Sequence, residues 1–414
     1  MATRTLDAAR SAVESACDDL GDATDIDGVD GVRPSLVARP ASTEQVADVM
    51  RAAASHDLTV VARGRGTKLT WGRPPERVDL VVDLSRMDRL LDHASGDLIV
   101  EVQAGTRLAD VQHAVSAAGQ RLSVDETVPG ASIGGTLATG ASGPGRLASG
   151  TVRDLLIGVT VVRADGVVAH AGGRVVKNVA GYDLGKLVVG SYGTLAVITE
   201  AVFRLHPLPP GRGVVSREVS TPAEAHRLVQ AVLGAQVVPS ALEVAWPAGG
   251  PGVVSVLLEG RDAGVRARTA ATLSVLGEGA SVSSDPPDGW AHYPWQGTPA
   301  TALKATFALS GLGRVLADAT ADGVRLDLRG SAGAGVLYLA VHETDVAAVA
   351  SVVERLRRTC TSLGGAVVVL DGPAEVKAAV DTWGPVPALA LMRRVKDQFD
   401  PGRALAPGRF VGGI

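Results

Sequence analysis

Directly after the apolar run Leu58–Ala62, the chain reads Arg63-Gly64-Arg65-Gly66-Thr67-Lys68. Glycines let backbone N–H groups approach an anion closely, and successive N–H groups form a concave nest for phosphate oxygens. Arg63, Arg65 and Lys68 add positive charge, and Thr67 adds a hydroxyl. Taken alone, the segment fits a tight turn with solvated arginines as well as it fits a phosphate cradle. It is not a Rossmann fingerprint, because Leu69 stands where the third glycine would fall. No segment gives a P-loop either: Gly185-Lys186 is followed by Leu187 and lacks the upstream glycine.

A second stretch of this kind runs from Pro129 to Pro144 and contains Gly130, Ser132, Ile133, Gly134, Gly135, Thr136, Leu137, Ala138, Thr139, Gly140, Ser142 and Gly143. Its small side chains allow the backbone to wrap a flat or extended ligand, to which the hydroxyls of Ser132, Thr136, Thr139 and Ser142 can donate. Apolar Ile133, Leu137 and Ala138 argue for an ordered, partly buried path rather than a loose surface loop.

The elements that must position these stretches alternate between strand and helix. Leu6, Ala9, Val13, Ala16 and Leu20 recur at helical spacing, and the Asp/Gly-rich run 21–31 follows as a loop. Ser35–Arg39, Leu58–Ala62, Val78–Asp83 and Leu98–Gln103 read as strands. Ser42 with Gln45 forms a capping box for a helix through His56, and Thr106–Ala118 reads as a second helix. Residues 125–153 read as a long loop without regular structure. Strands resume at Leu155–Arg163, Val167–Ala171 and Thr194–Leu205, and Pro207, Pro209 and Pro210 mark a boundary. Beyond it the order strand, helix, strand, strand, helix, strand is ferredoxin-like, and a looser version follows. The expected divisions are 1–31 (helix and linker), 32–210 (ligand-binding domain), 211–387 (antiparallel sheet backed by helices) and 388–414 (a tail).

Of the 414 residues, 46% are hydrophobic and 20% charged, a globular composition with a slightly positive mean hydropathy of +0.21. A net charge of −4 and only 3% aromatics argue against nucleic acid as a partner. The N-terminal segment carries Arg4, Arg10 and Glu14 and lacks the apolar core of a signal peptide. No stretch approaches the length of a membrane span, and a cytoplasmic protein is expected. Cys17 and Cys360 match no metal or redox spacing.

Together, Arg63–Thr67 and Ser132–Thr139 resemble the paired FAD loops of the vanillyl-alcohol oxidase and p-cresol methylhydroxylase (PCMH) flavoprotein superfamily. The resemblance continues through Gly150–Asp154, Gly172–Leu184, Gly190–Glu200, Phe399–Gly402 and Pro407–Arg409. The wording of Arg174–Leu184 is similar to the FAD-binding subunits of bacterial glycolate oxidases. The resemblance implies an α+β fold: a two-lobed PCMH-type FAD-binding domain followed by a ferredoxin-like cap. It implies that Arg63, Gly64, Arg65, Gly66, Thr67 and Lys68 cradle the pyrophosphate. Pro129, Gly130, Ser132, Ile133, Gly134, Gly135, Thr139 and Gly143 would then line the ribityl chain and flavin, and the backbone at Ile198 would meet the adenine or the flavin edge. Thr67 occupies the place where relatives often carry a histidine for covalent attachment, so FAD is expected to be non-covalent. Ala406 stands where the family tail usually has asparagine, and Ser149 where an aromatic residue is frequent.

The resemblance further implies oxidation of a small 2-hydroxy acid, glycolate or D-lactate, beside a catalytic flavoprotein subunit and an iron–sulfur subunit. A free-standing FAD oxidoreductase and a non-catalytic flavin-binding scaffold remain open alternatives. Such chemistry needs a cation for the carboxylate and a base or metal for the hydroxyl proton. No clustered histidine pair supplies it: His292 and His342 stand apart and read as structural or surface residues rather than ligands. Tyr182 and Asp183 read as packing residues, while Lys177 is as consistent with approaching the cofactor as with solvent. Arg393, Arg394 and Lys396 read as a solvated helix face. Trp290, Tyr293 and Trp295 read as packing or a partner contact, with a substrate wall as the other reading.

Overall fold

Ser42 shows how local chemistry sets an element. Its hydroxyl accepts a hydrogen bond from the Gln45 amide, and the Gln45 side chain accepts one from the Ala41 amide, so the helix Thr43–Ser55 begins there. Val46, Val49, Met50 and Ala53 then recur on one face, and all are buried. The computed structural model describes residues 2–174 and 183–414, so Lys177 and Tyr182 lie outside the described residues.

The chain divides into two compact units. The first comprises Met1–Ala141, Thr151–Leu208 and Pro385–Ile414. It holds a four-stranded sheet ordered Leu20–Asp22, Leu36–Ala38, Leu80–Asp83, Val60–Arg63, whose last three strands run parallel. A five-stranded antiparallel sheet of the same unit is ordered Leu90–Ala94, Ile99–Gln103, Val197–Arg204, Leu156–Val162, Val168–Gly172. Fully buried Met50, Val100, Leu137 and Phe203 belong to one core that joins helix and sheets. The tail adds to the parallel sheet: the Val60 amide donates to Ala404 O, and the Ala406 amide donates to Val60 O.

The second unit comprises Ser142–Gly150 and Pro209–Gly384 and carries one antiparallel eight-stranded sheet. Two strand-helix-strand-strand-helix-strand repeats build it. The first uses strands Gly211–Val219, Ala241–Trp246, Gly252–Gly260 and Ser281–Ser283 with helices Pro222–Gly234 and Asp262–Leu276. The second uses strands Thr301–Thr306, Leu326–Ser331, Val336–Val341 and Ala366–Asp371 with helices Leu312–Ala319 and Val346–Ser362. They join where Ala241–Trp246 pairs with Leu326–Ser331, Glu243 opposite Ser331. The second repeat is therefore as regular as the first. Its helix Leu312–Ala319, which sequence periodicity did not reveal, is one short amphipathic turn pair burying Leu312, Val315, Leu316 and Ala319.

The reading of 125–153 as structureless is corrected. Helices occur at Ile133–Thr139, Arg146–Ser149 and Val152–Leu155. The first forms despite poor intrinsic propensity. The Ser132 hydroxyl caps it by accepting from the Gly135 amide, Gly140 closes it at φ 61°, and Ile133 and Leu137 anchor it in the core.

Candidate functional site

The strand Val60–Arg63 ends at the mouth of a cleft of about 710 Å³ in the first unit. Arg63 is pinned as it leaves the sheet. Its guanidinium donates to Asp27 at 2.8 Å and to Asp83 at 2.7 and 3.2 Å, with both carboxylates buried and Arg63 itself partly buried. Burial alone would raise the Asp27 carboxyl, yet hydrogen bonds from the Thr24 amide and hydroxyl and from Arg63 hold it at about 2. Arg65 donates to Gly105 O at 3.1 Å and pairs with Asp88 at 3.3 Å. Two of the three cations expected to face an anion are thus matched by carboxylates.

Lys68 differs. It is 7% exposed, its ammonium donates to Thr67 Oγ1 at 3.4 Å, and among the described residues no carboxylate forms an ion pair with it. Burial pushes it down to about 8, only partly offset by the charge of Glu126.

The second glycine stretch meets the first directly. A Cβ on Gly64 would sit 2.1 Å from Ser132 Oγ, and one on Gly134 would sit 2.9 Å from the Ala104 Cβ. Only glycine lets the two loops close on one another. Gly66 turns at φ 73°, and the backbone of 63–68 lines the cleft together with Ser132, Gly134, Gly135, Thr139 and Ile198. The Thr139 hydroxyl donates to Gly135 O at 2.8 Å. Main chain more than side-chain hydroxyls therefore forms this wall.

Other sequence candidates fall elsewhere. Ile133 is buried in the core, Pro129 is exposed, and the Gly130 amide donates to Glu126 at 2.9 Å. None of the three lines the cleft. Gly143 belongs to the second unit and lines a different pocket there. Asp183 caps the helix Leu184–Val188, and His342 pairs with Asp327 at 2.8 Å. The solvated-face reading fails for Lys396, which is fully buried: its ammonium donates to Asp400, Thr194 O and Leu405 O at 2.6–2.9 Å.

Sequence reasoning also missed wall residues brought in by tertiary structure. Tyr192, at φ 56°, and Gly193 reach the cleft from the turn before the strand Val197–Arg204, and Tyr192 stacks on Phe410 at 5.5 Å. Arg409 comes from the tail and donates to Leu69 O at 2.6 Å and Trp71 O at 2.8 Å, tying down the end of the first loop. The motif Pro407-Gly408-Arg409 was the available signal, without the role.

A desolvated ammonium with no ion-paired carboxylate among the described residues, set in glycine-lined backbone, fits a diphosphate. Residues 34–172 match the family described as FAD binding domain. The chain is 27% identical to an uncharacterized FAD-linked oxidoreductase of Mycobacterium tuberculosis, over 92% of this chain and 91% of that one. It is 36% identical to the glycolate oxidase subunit GlcE of Escherichia coli over 41% of this chain and 48% of the relative. Likeness to the D-lactate dehydrogenase of Archaeoglobus fulgidus is 33% over 50% and 46%. Among solved structures, alkyldihydroxyacetonephosphate synthase superposes with TM-score 0.68 at 18% identity, covering 91% of this chain and 78% of that one. FgChi7B superposes with TM-score 0.69 at 17% identity, covering 96% and 98%.

The fold is α+β, and it is the fold of alkyldihydroxyacetonephosphate synthase. Residues 34–172 thus mark FAD as the cofactor, and the chain is similar to an FAD-linked oxidoreductase over 92% of its length.

Proposed function

We propose that the Arg63–Lys68 backbone and the Lys68 ammonium hold the diphosphate of non-covalent FAD, with Ser132, Gly134, Gly135 and Thr139 along the opposite wall and the Ile198 backbone at its edge. The observation that carries this is the closure of Gly64 onto Ser132 beside a buried ammonium that forms no ion pair among the described residues. Bound there, FAD supplies the two-electron acceptor for an alcohol carbon. Burial keeps water from Lys68 and strengthens its attraction for phosphate oxygens. Arg63, held by Asp27 and Asp83, fixes where the loop leaves the sheet.

The reaction is oxidation of a small 2-hydroxy acid, glycolate or D-lactate, to the 2-oxo acid. The setting is a cytoplasmic glycolate-oxidase-like complex in which this chain is the FAD-binding subunit beside a catalytic flavoprotein subunit and an iron–sulfur subunit. The likenesses to GlcE and to D-lactate dehydrogenase support this reading. Among the described residues no helix is long and apolar enough to cross a membrane.

The test is the visible spectrum of the purified chain, followed by anaerobic addition of glycolate or D-lactate. A colourless protein that takes up no FAD refutes the cofactor assignment. Bleaching by the chain alone makes it free-standing; bleaching only with co-purified subunits supports the complex.

A further inference from the structure

The helix Leu389–Phe399 keeps an apolar face that its own unit leaves largely uncovered: Lys396 is its one buried residue. Leu391 and Val395, four residues apart, share a face with Met392 beside them. With Leu187, Val189 and Phe410 they border a groove holding about 260 Å³ of free space, all of it within the first unit. Leu391 is 54% exposed and Leu187 36%. Single exposed leucines are ordinary, but two on the rim of one apolar recess mark an interaction site.

The floor of this groove is shared with the cofactor cleft. The turn 190–194 lends Gly190, Ser191 and Thr194 to the groove, and Tyr192 and Gly193 to the cleft. Its Gly190 amide donates to Leu137 O at 2.9 Å and its Tyr192 amide to Ala138 O at 2.8 Å, which ties the turn to the helix Ile133–Thr139. Phe410 borders the groove while its ring stacks on Tyr192. An occupant of the groove therefore rests on the back of the wall that FAD is proposed to face.

The chemistry of the occupant follows from the walls. None of the lining residues belongs to a strand, so strand addition has no edge to extend. Leu391 and Val395 instead form a ridge of the kind that seats between the ridges of a second helix, and flexible Met392 adapts to what it meets. A recess takes protruding side chains, which favours a helix over a flat bilayer. Charge on the helix Leu389–Phe399 is one-sided. Asp400 neutralises Lys396 and Arg403 pairs with Asp397, whereas exposed Arg393 and Arg394 make no ion pair among the described residues. Arg394 lies three residues from Leu391 and so stands beside the rim.

We propose that this groove docks an amphipathic helix of a partner protein, its large apolar side chains seated against Leu391, Met392 and Val395 and its acidic flank against Arg394. The inference deepens the reading of a multi-subunit complex by giving it a contact face, and it rests on that reading for the existence of a partner.

The full chain, FAD-loaded and after FAD removal, is titrated by fluorescence anisotropy with a labelled synthetic peptide. The peptide has about 18 residues, with leucines at i, i+3, i+4 and i+7 spacing and glutamates beside them. A counterpart carries lysine in place of each glutamate. Saturable binding of the glutamate peptide is expected in both forms of the protein, weaker at high salt. Leu391→Gln should weaken it about tenfold with FAD content unchanged, and Arg394→Glu should reverse the order of the two peptides. Both side chains are exposed, so both variants should fold. The proposal is overturned if the glutamate peptide does not saturate, if the lysine peptide binds as tightly, or if Leu391→Gln binds as the unaltered chain does. It is equally overturned if sedimentation shows a dimer that Leu391→Gln turns into a monomer, or if phosphatidylglycerol vesicles displace the peptide, since the occupant is then a second copy or a bilayer. Peptide binding by a chain that takes up no FAD would sink the cofactor reading and leave the groove standing; FAD uptake without peptide binding would do the reverse.

Discussion

Replacing Lys68 by methionine should move two properties in opposite directions. Burial holds this lysine at about 8 rather than 10.5, a gap that corresponds to roughly 3 kcal/mol withheld from the ammonium in the FAD-free fold. Below about pH 8 the lysine is protonated in folded and unfolded chains alike, and that cost is fully present. Between about 8 and 10.5 the unfolded chain holds more protons, so stability of the FAD-free protein rises with pH across this window. Lys68→Met removes the cost: the FAD-free variant should be about 2–3 kcal/mol more stable at neutral pH and should lose the rise. Its FAD affinity should fall, because a charge-assisted hydrogen bond to phosphate contributes about 1.5–3 kcal/mol, roughly 10- to 150-fold in Kd. In the unaltered protein, binding above about pH 8 must recover a proton, so affinity should drop by up to about tenfold per pH unit there. Flavin fluorescence titrations at about pH 7 and about pH 9.5, with thermal melts of the FAD-free proteins, measure each quantity. Equal affinities, or the same pH slope in both proteins, would refute a Lys68–diphosphate contact.

Three further outcomes follow from the geometry. Gly64→Ala drives a methyl into Ser132 Oγ and should destabilise the fold by about 1–3 kcal/mol while weakening FAD binding; adding Ser132→Gly should recover part of the loss, a coupling that a double-mutant cycle detects. Ala406 sits at φ 45°, where a Cβ is strained, so Ala406→Gly should stabilise the chain by about 0.5–1 kcal/mol in chemical denaturation. Lys396→Met leaves the Asp400 carboxylate buried without its ammonium and should cost about 3–5 kcal/mol, read as an earlier unfolding midpoint.

Both glycine stretches were legible in the sequence because their chemistry is local: small residues, a hydroxyl cap, cations beside a strand end. What cancels or completes them is not local. Asp27 and Asp83 reach Arg63 from distant segments, which converts an expected phosphate cation into a structural clamp. Lys396 looked solvated because the carbonyls that accept from it, on Thr194 and Leu405, come from elsewhere in the fold. The helix Ile133–Thr139 escaped because glycine and threonine dominate it, and its support comes from a core that one segment cannot reveal. The repeated strand-helix pattern of the second unit was readable by period, whereas its polar sheet face required the register that sets Glu243 beside Ser331.

The first unit is discontinuous, and its parallel sheet is bonded at Val60 to Ala404 and Ala406. During synthesis, the early strands leave the ribosome long before the residues that complete their edge. Most of the second unit is one continuous stretch that emerges in between and can acquire its tertiary structure first. On the reading proposed above, the first loop is ready for a nucleotide only once the later segment bearing Arg409 has arrived to tie it down.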